Sequence, residues 1–378
     1  MRTVSIFILF LMSVWGCAQT VPTDKEQKRI LRKVRKAERQ QLWKEKEINL
    51  LGFPVLYYSP ETRLAGGVAG IFLFRTQLDS ITQQSQIGSN AIYTLNDQII
   101  FFNPFQVFTG RNRYFFTGEL SFYRYPYIFA GIGNNHEVDD PLEDYTAAFP
   151  RLDATVYRNI TGNFFGGVNL WYQNMLMLEK QDGGLLEQTH VKGSDGGVTS
   201  GIGLSILYDS RDLVTSPTTG WFASFSQSHF SGNTWSDFDY DNYNLDIRRY
   251  QHIKNNHLIA FQFVADINSG AVPFNRMAML GGEQIMRGFQ RGIFRDQCLT
   301  NWQVEYRSKP FFNFLAATAF VSQGGVGSDI QQATDNLRWG YGGGLRLLLN
   351  KEKRLFIRFD MGFGKDTQGF YFNIGEAF

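Results

Sequence analysis

The chain has 378 residues, 16% of them aromatic, with 38 glycines and 10 prolines, a mixture that favours strands and turns over helices. Its 37 Lys and Arg balance 35 Asp and Glu, so no charge excess points to a nucleic-acid partner. The same balance excludes the acidic, aromatic-poor composition of a disordered chain.

The N-terminus MRTVSIFILFLMSVWGCAQT has one early arginine, an apolar run from Val4 to Val14 and small residues from Gly16. That is the layout of a secretory signal, too short to cross a bilayer. Residues 1–18 are read as this signal, with cleavage after Ala18 and lipidation of Cys17 as the two competing routes. After cleavage at Ala18 the only cysteine is Cys298, so no internal disulfide can form. Cys298 reads as a small packing residue at a strand end. Residues 19–50 form a basic linker in which Asp24 to Glu47 lacks Gly and Pro and sets Ile30, Val34 and Ala37 on one weak stripe. A short N-terminal helix is expected there, either solvated or docked to a partner or the membrane surface.

From residue 51 to 378 no helical period lasts, and segments of about ten residues alternate in polarity between turn-formers. In RYFFTGELSFYRY, Tyr114, Phe116, Leu120 and Phe122 oppose Thr117, Glu119, Ser121 and Tyr123. In LTNWQVEYRS, Trp302, Val304 and Tyr306 oppose Asn301, Gln303, Glu305 and Arg307. In RLFIRFDMGFG, Leu355, Ile357, Phe359 and Met361 oppose Arg358 and Asp360. A soluble sandwich would show such alternation too. Export, strands long enough to cross a tilted bilayer, and short turns such as KNNH and NKEK set against longer loops at 130–150 and 179–197 favour a transmembrane antiparallel β-barrel. Closure pairs every backbone group that lipid leaves unsatisfied.

Nine strands are expected near 199–209, 220–230, 239–250, 257–268, 297–309, 314–323, 337–349, 354–364 and 369–378. Between 52 and 198 the segment NAIYTLNDQIIFFNPFQVF reads as one bent strand or two, so the total is fourteen to sixteen, and even. The closing GFYFNIGEAF puts Phe370, Phe372, Ile374 and Phe378 in step on the expected lipid face, interrupted by Glu376. This looks like the C-terminal signal of outer-membrane barrels.

The long connection before residue 297 contains LGGEQIMRGFQRGIFRD. Here the chain resembles the BamA/TamA superfamily of outer-membrane assembly factors and their two-partner secretion relatives. Their sixth external loop folds into the lumen with an Arg-Gly-Phe/Tyr tip, matched by Arg287, Gly288 and Phe289 after the paired Gly281 and Gly282. The turn YDSRDLVTSPTTGWF and the strands GYGGGLRLLL and FIRFDMGFG are similar to the family's as well. The resemblance covers roughly residues 50–378 and implies sixteen strands in the outer membrane of a Gram-negative bacterium.

An arginine drawn into a polar lumen needs an acceptor of matching fork geometry, and parity turns Glu305 inward. The resemblance implies a second anchor, the aspartate of a Phe-x-Asp-x-Gly pattern, where this chain has Ser322. Asp360, lumenal by parity, is a further candidate. The family's periplasmic POTRA modules do not fit between residues 19 and 50, so the expectation is a barrel without its own capture arm, working with outer-membrane or periplasmic partners. The resemblance implies lateral opening between the first and last strands, with unfolded outer-membrane proteins as clients. A scaffold barrel without insertase activity is the alternative reading. An enzyme is disfavoured, because the five histidines fall mostly in turns and no nucleophile elbow or His-Glu-x-x-His occurs. No cofactor or metal is expected, and the surrounding partners are membrane lipids.

Overall fold

The computed structural model describes residues 48–378 apart from 60, 61, 78, 80, 81, 139–141, 190, 215, 255, 256, 313, 352 and 353. The expected signal peptide, Cys17 and the basic helix lie outside the described residues.

The first half of the barrel is built from β1 (Asn49–Ser59), β2 (Arg63–Phe74), β3 (Ser85–Thr94), β4 (Ile99–Phe108), β5 (Tyr114–Phe129), β6 (Glu143–Thr161), β7 (Phe164–Lys180) and β8 (Gly196–Asp209). Three strands follow, β9 (Gly220–Phe230), β10 (Tyr240–Ile253) and β11 (His257–Gly270). A two-stranded ribbon, β12 (Ala278–Met279) with β13 (Arg295–Asp296), then lies inside the next loop. The wall resumes with β14 (Cys298–Arg307), β15 (Leu315–Gly327), β16 (Arg338–Asn350), β17 (Leu355–Gly364) and β18 (Thr367–Ile374). Without the ribbon, sixteen strands close into a barrel in which each is antiparallel to its neighbours and β1 meets β18.

The segment 90–108 is two strands, parted by a tight turn in which Asp97 has φ 56° and Thr94 N–H donates to the Gln98 carbonyl. The barrel begins at Asn49, slightly before the expected residue 51. No helix among the described residues is long and apolar enough to cross a membrane.

Alternation decides what faces where. On β14, Asn301, Gln303, Glu305 and Arg307 are buried in the lumen while Trp302, Val304 and Tyr306 turn outward. On β17, Arg358 and Asp360 point in and Phe359 out. The outward residues Leu120, Phe122, Leu204 and Ile206 are exposed on the isolated chain, as side chains that face hydrocarbon must be. The end carrying both the start of β1 and the end of β18 has mostly short turns. The opposite end carries the longer loops, including 130–142, 181–195 and 271–297. Short turns mark the periplasmic side of such barrels and long loops the extracellular side.

The 271–297 loop turns back into the barrel. Leu280, Met286, Phe289, Ile293 and Phe294 pack with Val264, Leu299 and Val326 of the wall and with Ala130 at the start of the 130–142 loop. A second cluster of Phe129, Tyr145, Phe149, Met175 and Leu186 receives Phe274 from the same loop. The lumen therefore has an apolar core towards its extracellular end.

Candidate functional site: loop tip, arginine cluster and seam

The loop tip is shaped by glycines. Gly288 has φ 104°, a conformation side chains rarely adopt, and a Cβ there would come within 2.8 Å of the Phe363 backbone. Gly362 on β17 is equally confined, since a Cβ would meet the Gly288 nitrogen at 2.6 Å. Two glycines thus let the loop backbone lie against the strand backbone. Gly288 N–H donates to the Tyr371 hydroxyl at 3.1 Å, and the Thr367 hydroxyl donates to the Gly288 carbonyl at 2.9 Å. Paired Gly281 and Gly282, also at positive φ, turn the chain before the tip, and Gly282 N–H donates to the Phe289 carbonyl.

Arg287 is fully buried. It donates to Glu305 of β14 at 2.5 Å and to Asp360 of β17 at 2.6 Å, with its guanidinium carbon 3.5 Å from the Phe320 ring centroid. Ser322, which stands where the resemblance implies an aspartate, does not reach it; its hydroxyl donates to the Gly340 carbonyl at 3.2 Å. The second carboxylate comes instead from β17, three strands on from β14 and two from β15, which carries Ser322. A serine is too short to span the gap, whereas Asp360 reaches it because Gly362 and Gly288 bring the backbones together.

The same carboxylates hold further cations. Arg307 donates to Glu305 at 2.6 Å, and Arg346 donates to Asp360 at 2.5 Å. Arg346 also donates to Glu376 at 2.9 Å, and Arg358 binds Glu283 of the loop at 2.5 Å. Asn373 of β18 donates to Glu283 as well. Sequence parity finds Glu305 and Asp360. It misses Arg346, Glu283 and Glu376, whose partners come from elements far apart in the chain.

The C-terminal residues depart from expectation. Phe370, Phe372 and Ile374 lie on the outer face, but Phe378 is buried against Tyr250, Leu258 and Ala260 inside the barrel. Gly375, at φ 98°, turns the chain inward. Glu376 then reaches Arg346, and Arg307 donates to the Phe378 carbonyl at 3.0 Å. In an extended strand Glu376 would face lipid; the inward turn gives the carboxylate two arginines instead.

This turn shortens the seam. Among the described residues the ladder between β1 and β18 is one pair, Tyr58 opposite Phe372. Continuing that register would place Glu376 opposite Pro54, which has no N–H to give. A cavity of about 350 Å³, lined in part by Tyr57, Tyr125, Glu283, Arg291 and Asn373, lies between the seam and the loop.

His257 and Cys298 lie apart from the loop tip. His257 stacks on Tyr306 and shares a 2.5 Å hydrogen bond with its hydroxyl. Among the described residues no group of three or more His, Cys, Asp or Glu is placed to hold a metal. Cys298 is buried at the start of β14.

No curated protein sequence matches the chain. Several solved structures share its fold. BamA from Haemophilus ducreyi lacking POTRA domains 1–3 superposes with a TM-score of 0.59 at 12% identity, over 87% of this chain and 70% of that one. CdiB from Acinetobacter baumannii gives 0.58 at 13% identity, over 86% of this chain and 59% of its own. CdiB from Escherichia coli gives 0.57 at 10%, over 86% and 62%. The chain thus spans less than two thirds of either CdiB. The Omp85 superfamily domain matches residues 85–378, most of the barrel with the loop tip and its anchors, and the protein is an outer-membrane β-barrel that belongs to the Omp85 superfamily.

Proposed function

We propose that this barrel inserts or translocates other proteins at the outer membrane, with the seam edge of β1 as the template for an incoming strand. The observation that carries the reading is the ladder of one pair that the described residues of the seam form. A strand edge in hydrocarbon leaves backbone donors and acceptors unpaired at several kcal/mol each, so it favours any chain that can add a strand. β18 serves the full edge poorly. Its tail is drawn inward by Arg346 and Arg307, and Pro54 with Glu376 would oppose a longer ladder. Clients are then unfolded outer-membrane proteins, delivered by outer-membrane or periplasmic partners. Arg287, Glu305 and Asp360 fix the loop against β14 and β17, and Glu283 with Asn373 links the loop to the seam strand.

The test is a lock. Tyr58→Cys with Phe372→Cys places two thiols on the paired positions, and oxidation should stop assembly while reductant restores it. A locked barrel that works at full rate refutes the template. Depletion should lower many outer-membrane barrels together; an unchanged profile with one missing co-purified protein would instead mark a scaffold.

A further inference from the structure

The periplasmic rim is unequal around its circumference. The turns after β2, β4, β6 and β8, residues 75–84, 109–113, 162–163 and 210–219, contain no aromatic residue. The turn between β14 and β15 reads Ser308-Lys309-Pro310-Phe311-Phe312-Asn313-Phe314. Its phenylalanines stand out from the barrel: Phe312 is 77% exposed, Phe314 50% and Phe311 39%. The turn is built to hold them there. Phe311 and Leu315 exchange backbone hydrogen bonds, Leu348 N–H donates to the Phe314 carbonyl at 2.7 Å, and Ala317 N–H donates to the Ser308 hydroxyl. Phe312 sits at φ 52°, an uncommon conformation for a bulky side chain. The Phe311 and Phe312 rings meet edge to face at 5.8 Å.

The neighbouring turns continue the pattern. In barrel order β10, β11, β14, β15, β16 and β17 are consecutive, so the three turns joining them form one arc. Ile253 and Lys254 are exposed on one side of the phenylalanines, Leu349 and Lys351 on the other. The described residues of these three turns include Lys254, Lys309 and Lys351 and no carboxylate of their own, while the charge of their Arg354 is met by Asp212 of the far rim. The sequence adds Glu352 and Lys353, which cancel.

We propose that this arc is a lipid-recognition surface that seats the β10–β17 side of the barrel in the periplasmic leaflet and selects anionic phospholipid headgroups. The three phenylalanine rings enter the headgroup–acyl boundary, where aromatic side chains of membrane proteins concentrate. The lysines meet phosphate at the surface. Lipid is favoured over a protein partner because the arc continues a lipid-facing wall, with Tyr306 and Phe359 on its outward face. Lysine charge without an opposing carboxylate complements an anionic surface. The far rim has no such residues and carries Asp79 and Asp212 among its cations. The arc stops at β17, so the seam lies at the boundary between a held rim and an unheld one.

Two measurements on the full-length protein in nanodiscs test this. A nitroxide on Phe312→Cys, with the unsubstituted protein labelled in parallel as background, should be relaxed far more by oxygen than by a water-soluble nickel chelate. The reverse order overturns the proposal. Spin-labelled phosphatidylglycerol should show severalfold more protein-bound lipid than phosphatidylcholine at low salt, and 1 M salt should remove the difference. The triple variant Lys254→Gln, Lys309→Gln, Lys351→Gln should bind both lipids equally. Equal binding by the parent, or preference retained in the triple variant, refutes headgroup selection. If the Phe312 label is wet and a Phe311→Ser, Phe312→Ser, Phe314→Ser variant loses a co-purifying protein, the arc is a protein dock and the lipid reading is wrong.

Discussion

The wall at β10–β11 and the seam at β18–β1 are made of similar material and behave differently. β10 and β11 pair without interruption from Tyr240 opposite Gly270 to Ile253 opposite His257, whereas the described residues of the seam form one pair, Tyr58 opposite Phe372. Strand propensity does not separate them, because GFYFNI is as aromatic and β-branched as YNLDIRRY. The difference is made at one glycine and one carboxylate: Gly375 turns the tail, and Glu376 is held by arginines that also hold the loop anchors. A strong wall and a weak seam are therefore parts of one electrostatic arrangement, and removing its pieces should make the two regions more or less alike.

The largest effect is expected from Arg287→Ala. It leaves Glu305 and Asp360, both fully buried, with one fewer cation between them, a loss of about 3–5 kcal/mol for breaking a buried pair. The folded, heat-modifiable band should disappear at clearly lower urea than in the parent. Arg287→Lys should fall between the two, since a single ammonium cannot serve two carboxylates with fork geometry. Parent-like urea resistance of Arg287→Ala would show that the loop tip does not brace the wall.

Next comes Gly375→Val. A Cβ at Gly375 meets nothing within 4 Å, so the cost is that of placing a β-branched residue at φ 98°, about 1–3 kcal/mol. The cost falls on the inward tail alone, and the extended strand becomes relatively better. Gly52→Cys with Phe378→Cys reports the shift, because these positions come opposite each other when the Tyr58–Phe372 register is continued. The parent should cross-link little and the valine variant much more. Equal yields would mean that the tail is not set by Gly375.

Much of this was legible in the sequence. Alternation assigned Glu305, Arg307, Arg358 and Asp360 to the lumen and Trp302, Val304 and Tyr306 to lipid, because a strand's period of two leaves no third choice. The Arg-Gly-Phe tip was legible as a motif, and its glycine as a site of close approach. Phe378 was not. Its parity with Phe370, Phe372 and Ile374 holds only while the strand stays extended, and the inward turn depends on arginines at 307 and 346 that no local pattern connects to residue 376. Ser322 misled for a related reason: the lost aspartate is replaced from another strand, β17, and only the closed barrel sets that distance.

The smallest effect concerns a strut across the short-turn rim, outside both regions. Asp212, in the turn after β8, accepts from Thr218 N–H and hydroxyl at 2.8 Å and from Thr219 N–H at 3.2 Å, and it pairs with Arg354 in the turn before β17. Six strands, β9 to β16, lie between the two turns in the barrel order. Burial works to raise the Asp212 pKa, but the Arg354 guanidinium and the threonine donors outweigh it and hold the carboxyl well below the usual carboxylate range. A carboxyl depressed in the folded state stabilises that state above its unfolded pKa of about 4, and the contribution fades as pH falls towards the folded value. Stability should thus be insensitive to this group between pH 8 and pH 5 and decline below about pH 4. Asp212→Asn should remove that part of the decline and cost no more than about 1 kcal/mol at neutral pH, since the pair is partly exposed. Urea midpoints of the folded band at pH 7 and pH 3 measure both, and a parent and variant that differ equally at the two pH values would show that the ion pair does not hold the strut.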